Sequence, residues 1–201
     1  HYDGVRHVII DTHAHYTPQS MLAALKTQID RFPSIDLLEE DGKFQLAFCG
    51  GNPTRPLSPK LRDTDMRLEW MDDQSIDAQV VGGWLDSFGY ELPAEEGESW
   101  CRFMNEFQMT GTDNINRLYP LATVPMQDGK RAAKVLEEAM AGGFKGVMIG
   151  TQPNGISGNL DDPDLDPFWE AASGLGATVY LHPMFGCGDP RLNDFALMNA
   201  V

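Results

Sequence analysis

Short runs of apolar, mostly β-branched residues recur along the chain, each bounded by polar residues. The runs are continuous rather than alternating, which is typical of strands that are covered on both faces. They are Val8–Thr12, Ala78–Gly82, Leu118–Val124, Phe144–Gly150 and Thr178–Leu181. Parallel sheets of α/β proteins provide that environment, so the pattern predicts five buried parallel strands.

Amphipathic segments lie between the later runs and predict the intervening helices. In Arg131–Ala141 the apolar residues recur at helical spacing, and Gly142 and Gly143 follow where that helix should end. Asp63 is the predicted N-cap of a helix over Asp65–Asp73. The remaining predicted helices are Glu95–Gln108, Leu165–Gly174 and an unfinished one that begins after Asp189.

The segment Tyr16–Pro59 breaks this alternation, so we interpret residues 16–59 as an insertion after the first strand. It contains one helix-like stretch, Ser20–Arg31, and one short apolar run, Phe44–Phe48. No linker or repeat divides residues 1–201, which predicts a single domain. Five parallel strands fit either an open doubly wound sheet or the first five strands of a (β/α)8 TIM barrel. We favour the incomplete barrel because no glycine-rich phosphate loop follows the first strand.

Charge and cysteine content narrow the class of partner. The formal net charge of −15 in 201 residues argues against nucleic acid, and an anionic ligand would need a local cationic pocket. No run approaches the roughly 18 to 20 apolar residues that a membrane span requires, so no membrane association is expected. Three widely separated cysteines, Cys49, Cys101 and Cys187, fit a reducing compartment and predict a cytoplasmic protein.

Two predicted strands end in histidine. His13 and His15 share one face if the first strand continues that far, and His182 ends the last predicted strand. The first and fifth strands of an eight-stranded barrel stand opposite each other, which would bring the three imidazoles together. Such a set suits Zn²⁺, or Mn²⁺ or another divalent metal if carboxylates join, although ordinary loop or core histidines remain the alternative. Asp11 can hydrogen-bond a ligand histidine or serve in a turn.

Several linked segments together resemble the amidohydrolase superfamily, and within it the aminocarboxymuconate-semialdehyde decarboxylase-like branch. The resemblance extends over residues 8–187, outside the insertion, and is carried by IDTHAH, RLEWMDDQSIDAQVVGG, VPMQDGKRAAKVLEEAM, GFKGVMIGT and DLDPFWEAASGLGATVYLHP. It implies a TIM barrel with one divalent metal, usually zinc, whose ligands would include His13, His15 and His182. Members of this family often dimerise, so a homodimer is a possible assembly.

The resemblance also implies two residues that we expect beyond Val201, a catalytic histidine and an aspartate ligand from the last strand. We therefore expect this chain to represent the first part of the barrel, without the complete active site. Such a part would leave two unpaired sheet edges, a recognised aggregation hazard. Ser75 stands where the family usually has glycine, which predicts a strained turn before the second strand.

The family's substrate-binding arginine in the short strand of the insertion has no counterpart here. Other cations of the insertion and the segment after it can hold a carboxylate or be solvated surface charges, namely Arg55, Lys60 and Arg62. Apolar residues after the second and fifth strands are expected either to contact the substrate or to pack, namely Trp84, Met184 and Phe185.

The implied activity is metal-dependent, nonoxidative decarboxylation of an unsaturated or aromatic carboxylic acid, a small-molecule substrate. A bound metal would lower the pKa of water or bind substrate oxygens, and an acid would protonate the carbon that loses CO₂. The same site could instead serve a hydrolase or hydratase of a lactone, amide or unsaturated acid. A non-enzymatic homologue retained for subunit interaction is the third alternative.

Overall fold

The structure, a computed structural model, describes residues 7–153 and 158–184. Its strands are β1 Ile10–His15, β2 Ile35–Glu40, β3 Lys43–Phe48, β4 Ala78–Gly82, β5 Leu118–Pro120, β6 Gly146–Gly150 and β7 Thr178–His182. Its α-helices are α1 Gln19–Gln28, α2 Pro59–Arg62, α3 Thr64–Asp73, α4 Ala94–Thr112, α5 Gly129–Ala141 and α6 Asp166–Leu175. Short 3₁₀ turns lie at Ile29–Arg31, Leu85–Ser87 and Pro163–Leu165. No helix in these two ranges is long and apolar enough to cross a membrane.

Five of the strands form a parallel array, as the apolar runs predict. Strands β1, β4 and β5 pair in that order, and β6 pairs with β7. A parallel bridge between Ala122 and Val147 joins the two groups. Strand β4 has the predicted bounds, whereas β5 ends at Pro120, short of the predicted Val124. The parallel α/β class is therefore confirmed.

The predicted helices are also present, with ends that differ by a few residues. Asp63 caps α3 as expected, since its Oδ1 accepts a hydrogen bond from the Met66 amide at 3.0 Å. Asp128 caps α5 in the same way through the Arg131 amide at 3.0 Å. The apolar stripe of α5 is buried, and the helix expected after Asp189 lies outside the described residues.

The insertion contains a β-hairpin of which only the second strand was predicted. Strand β2 was not predicted because its sequence, IDLLEE, is acidic and only Ile35 is buried. It pairs with β3 in antiparallel register from Ile35 opposite Phe48 to Glu40 opposite Lys43. The connecting Asp41 and Gly42 both have positive φ (51° and 72°), and an Asp-Gly pair is a strong hairpin signal that the sequence did carry.

The main core lies between the parallel array and the helices. Trp100 of α4 stacks on Phe103 at 5.7 Å between ring centroids, and Phe32 and Phe48 of the insertion pack against the Trp100 ring. The insertion therefore shares its core with the helices. Ser75 has φ 56°, so the turn before β4 keeps the left-handed conformation that favours glycine, as the resemblance implied.

Candidate metal centre

The carboxyl ends of β1 and β7 meet, although these strands lie at opposite ends of the array. His15 Nε2 is 3.1 Å from His182 Nε2, and His13 lies beside both, with ring centroids 5.3 Å from His15 and 4.9 Å from His182. One nitrogen from each of the three rings falls within 4.8 Å of the others. The array therefore curls, and it brings together the three histidines that the sequence analysis selected.

Backbone carbonyls fix two of these rings. His15 Nδ1 donates to the Gly83 oxygen at 2.9 Å, and His182 Nδ1 donates to the Pro183 oxygen at 2.7 Å. A carbonyl only accepts hydrogen bonds, so each Nδ1 carries the hydrogen and each neutral ring has a bare lone pair on Nε2. Two bare Nε2 atoms 3.1 Å apart repel each other unless a cation lies between them. The donor set thus fits a divalent metal ion.

Burial keeps the rings of His15 and His182 neutral. It lowers the pKa of His15 to about 4, and the neighbouring His182 and His13 act in the same direction, whereas the hydrogen bond to Gly83 opposes it. Burial also lowers the pKa of His182, which is 8% exposed, and the hydrogen bond to Pro183 and, to a smaller extent, the charge of Asp86 partly offset that effect. Neutral imidazole is the form that binds metals, so the rings are prepared as ligands at neutral pH.

A bulge in β1 separates Asp11 from the imidazoles. The pairing with β4 advances three residues on β1, from Asp11 to Ala14, while it advances two on β4. Asp11 accordingly contacts Gln79 Nε2 at 2.8 Å and accepts the His13 amide at 3.0 Å. Among the described residues it makes no hydrogen bond to an imidazole. The suggested contact with a ligand ring is therefore replaced by a backbone contact, since the bulge reverses the face on which Asp11 lies.

A cavity of about 480 Å³ lies beyond the carboxyl ends of β4 and β7, the end of the array at which the histidines also lie. Its walls include Arg55, Asp86, Tyr90 and Met184. Arg55 makes two hydrogen bonds to Asp86, both at 2.8 Å, and its guanidinium also lies 5.9 Å from the Trp84 ring centroid. Asp86 was not among the predicted site residues, because its partner Arg55 comes from the insertion and no local pattern links the two.

Other candidate side chains lie elsewhere. Trp84 is 6% exposed and packs with Leu22, Phe44 and Leu57, so it belongs to the packing beneath the hairpin, the second of its two predicted roles. Arg62 donates hydrogen bonds to Gln19, at 2.5 Å, and to the Gly42 oxygen. It therefore connects α2 to two parts of the insertion. Lys60 lines a second cavity, of about 540 Å³, whose walls also include His13, His15 and Arg67. Phe185 lies outside the described residues.

Comparison with known proteins places this geometry in a family. Residues 10–197 match the Amidohydro_2 amidohydrolase family. The 2-amino-3-carboxymuconate-6-semialdehyde decarboxylase of Dictyostelium discoideum is 28% identical over 159 residues, which cover 78% of this chain and 41% of that protein. The chain therefore spans less than half the length of this curated relative.

Solved structures share the fold. The 5-carboxyvanillate decarboxylase LigW of Sphingomonas paucimobilis superposes with a TM-score of 0.69 at 23% identity, over 96% of this chain and 57% of that one. The enzyme of the same name from Novosphingobium aromaticivorans, complexed with manganese and 4-hydroxy-3-methoxy-5-nitrobenzoic acid, gives 0.70 at 17% identity, over 97% and 56%. The resemblance inferred from the sequence motifs is confirmed, and the chain belongs to the amidohydrolase family.

Proposed function

We propose that the protein is a metal-dependent, nonoxidative decarboxylase of an aromatic or unsaturated carboxylic acid. The observation that carries this proposal is the convergence of three imidazoles, two of which direct bare Nε2 atoms at a common point. Membership of the amidohydrolase family supports it, as do the decarboxylases among the similar proteins.

His13, His15 and His182 are the residues that would hold the ion. When bound, a divalent metal supplies Lewis-acid stabilisation to negatively charged substrate oxygens. Zinc is the ion that three imidazoles favour, and manganese is the alternative, since a similar decarboxylase structure contains it. The three imidazoles contribute no negative charge of their own, so only the proposed aspartate ligand would reduce the charge of the ion.

Arg55 is proposed to bind a carboxylate of the substrate at the cavity. Its guanidinium is oriented by Asp86, and a planar guanidinium binds a carboxylate through two parallel hydrogen bonds. Leu85, Phe88 and Met184 give this cavity an apolar part of its wall. Loss of charged carboxylate as neutral CO₂ is favoured in such surroundings.

The remaining parts of the proposal concern the whole protein. We propose that the curled array of five parallel strands belongs to a (β/α)8 barrel and that residues 16–59 are an insertion in this single domain. The proton that replaces CO₂ would come from the catalytic histidine expected beyond Val201. The aspartate ligand expected there would complete the metal site. A cytoplasmic location and a homodimer remain predictions.

Product analysis with the longest natural chain that contains these residues tests the activity. Protein loaded with Zn²⁺ or Mn²⁺ is incubated with hydroxybenzoates, unsaturated acids, lactones and amides, and CO₂ release is measured alongside hydrolysis or hydration. We expect metal-dependent CO₂ release that His15→Ala abolishes and that His7→Ala, at an exposed histidine before β1, leaves unchanged. Hydrolysis or hydration without CO₂ would replace the decarboxylase with the alternative activity.

A further inference from the structure

A buried arginine on the outer side of β1 contacts the backbone of the metal centre. Arg67 of α3 is 6% exposed, and its Nη2 donates to the carbonyl oxygens of His15 and, at 3.2 Å, of Lys60. The guanidinium also lies 5.2 Å from the Tyr16 ring centroid. Among the described residues, Arg67 thus hydrogen-bonds the main chain of a proposed ligand and not its imidazole.

Two further side chains extend this contact to the other histidine of β1. Arg67 Nη1 donates to Gln79 Oε1 at 2.9 Å, and Gln79 Nε2 donates to Asp11 Oδ2 at 2.8 Å. The other oxygen of Asp11 accepts the His13 amide at 3.0 Å. A continuous chain of hydrogen bonds therefore joins the His15 carbonyl to the His13 amide behind the strand.

The bulge explains why this stretch of β1 uses side-chain partners. Regular pairing with β4 is interrupted between Asp11 and Ala14, so the ladder does not fix the backbone at His13. A bulge leaves its extra residue unpaired and changes the direction of neighbouring side chains. Side-chain hydrogen bonds to the His13 amide and to the His15 carbonyl instead fix the backbone on either side of the bulge.

The burial of Arg67 is costly, which argues that its contacts matter. Burial lowers the pKa of Arg67, and Tyr16 and Asp11 oppose the effect. Its Nε is also buried without a hydrogen-bond acceptor among the described residues. An aliphatic side chain would fill such a position at less cost in desolvation, so packing alone does not account for an arginine.

We propose that Arg67 is a positioning residue of the metal centre. Through the His15 carbonyl, and through Gln79 and Asp11 to the His13 amide, it fixes the backbone from which two imidazoles project. The inference rests on the proposed function in so far as these imidazoles bind a metal. Supporting groups of this kind commonly change metal affinity about 10- to 100-fold when removed.

Arg117 offers a matched control. It too binds backbone carbonyls, those of Ile76 at 2.6 Å and Asp77 at 3.1 Å, and it pairs with Asp72. These contacts lie at the amino end of β4, whereas His15 pairs with Gly82 at its carboxyl end. Loss of Arg117 should therefore lower stability without disturbing the imidazoles.

The test compares Arg67→Met and Arg67→Lys with Arg117→Met and Arg117→Lys by titration with Co²⁺, whose visible absorption reports ligand geometry. We expect Arg67→Met to weaken Co²⁺ binding about tenfold or more and to change the spectrum. Arg67→Lys should recover part of the affinity, because lysine keeps the charge but loses the planar fork. Both Arg117 variants should bind as the wild type does. If Arg67→Met does not fold, the two lysine variants decide.

A second measurement needs no metal. Imidazole ¹⁵N NMR of the metal-free protein should show His15 protonated on Nδ1, and Arg67→Met should give a tautomer mixture that Arg117→Met does not. Wild-type Co²⁺ affinity and an unchanged His15 tautomer in folded Arg67 variants would overturn the proposal, as would equal losses of affinity in the Arg117 variants. If the wild type binds no Co²⁺ but the tautomer change is specific to Arg67, the positioning role stands and the metal-dependent function fails.

Discussion

At the scale of single residues, the cavity lined by Arg55 and Asp86 presents a cation, Arg55, that is already paired with Asp86. The Arg55 side chain is 58% exposed, whereas its partner Asp86 is 15% exposed. Asp86 therefore holds the guanidinium from the protein side. In a chain with a net charge of −15, this guanidinium is the local cation that the proposed carboxylate ligand would require.

Removal of the Arg55 charge should weaken binding of a carboxylate ligand. We expect Arg55→Met to raise the Kd of an aromatic carboxylic acid about 10- to 100-fold, since a charge-assisted hydrogen bond contributes about 1.5–3 kcal/mol. Calorimetric titration measures this without turnover. Arg102→Met is the control, because Arg102 forms a similar two-point pair with Glu138 between α4 and α5. Unchanged affinity in Arg55→Met would assign that residue to the surface.

At the scale of elements, an ion cluster joins α4 to α5. Glu98 of α4 is 5% exposed and accepts hydrogen bonds from Arg131, Arg102 and Lys134. Burial alone raises the pKa of Glu98, but these three cations outweigh it and lower the pKa to about 2. The two helices were predictable from their apolar stripes, whereas their ionic contact was not, because the partners are 33 and 36 residues apart.

The depressed pKa gives the stability of this helix pair a defined pH dependence. We expect Glu98→Gln to lower the free energy of unfolding at pH 7 by about 1–3 kcal/mol. The deficit should be complete above pH 4.5, the ordinary value, and should shrink as the pH falls toward 2, where Glu98 is protonated in the folded state too. Urea denaturation between pH 7 and 3 measures it. Glu106→Gln, at an exposed position of the same helix, should show no such deficit.

At the scale of the whole molecule, the candidate metal centre ties together the two outer strands of the array. His15 and His182 are 167 positions apart in sequence, yet their Nε2 atoms are 3.1 Å apart. Among the described residues, β1 and β7 each pair on one side only. Their Ile10 and Leu181 side chains are 54% and 50% exposed, as the expected sheet edges implied.

A metal bound at this point should stabilise the entire chain. An ion that binds only the folded state adds about 2.7 kcal/mol at 100 times its Kd. We therefore expect Zn²⁺ or Mn²⁺ to raise the Tm of metal-free protein by several degrees and a chelator to reverse the rise, as followed by circular dichroism. His182→Ala should remove the effect and His7→Ala should keep it. A rise that persists in His182→Ala would locate the bound ion elsewhere.

How much of this site the sequence predicted depends on how far apart in sequence the interacting residues lie. Strand ends marked by histidine were visible, because apolar runs define strands and parallel strands align their carboxyl ends. The face of β1 on which Asp11 lies could not be predicted, since one unpaired residue in β1 changes the alternation of side chains between the two faces. The pairing of Arg55 with Asp86 joins an insertion to a loop after β4, and only the folded chain brings them together.

The bulge in β1 also determines how relatives of this chain can differ in length. It sets Thr12 and His13 together against one residue of β4, so the strand carries one residue more than regular pairing needs. Loss of Thr12 would leave both histidines on one face and Asp11 on the other. Loss of Ala14 would turn the two histidines to opposite faces. A one-residue deletion in this part of β1 is therefore compatible with the metal centre at Thr12 and destroys it at Ala14.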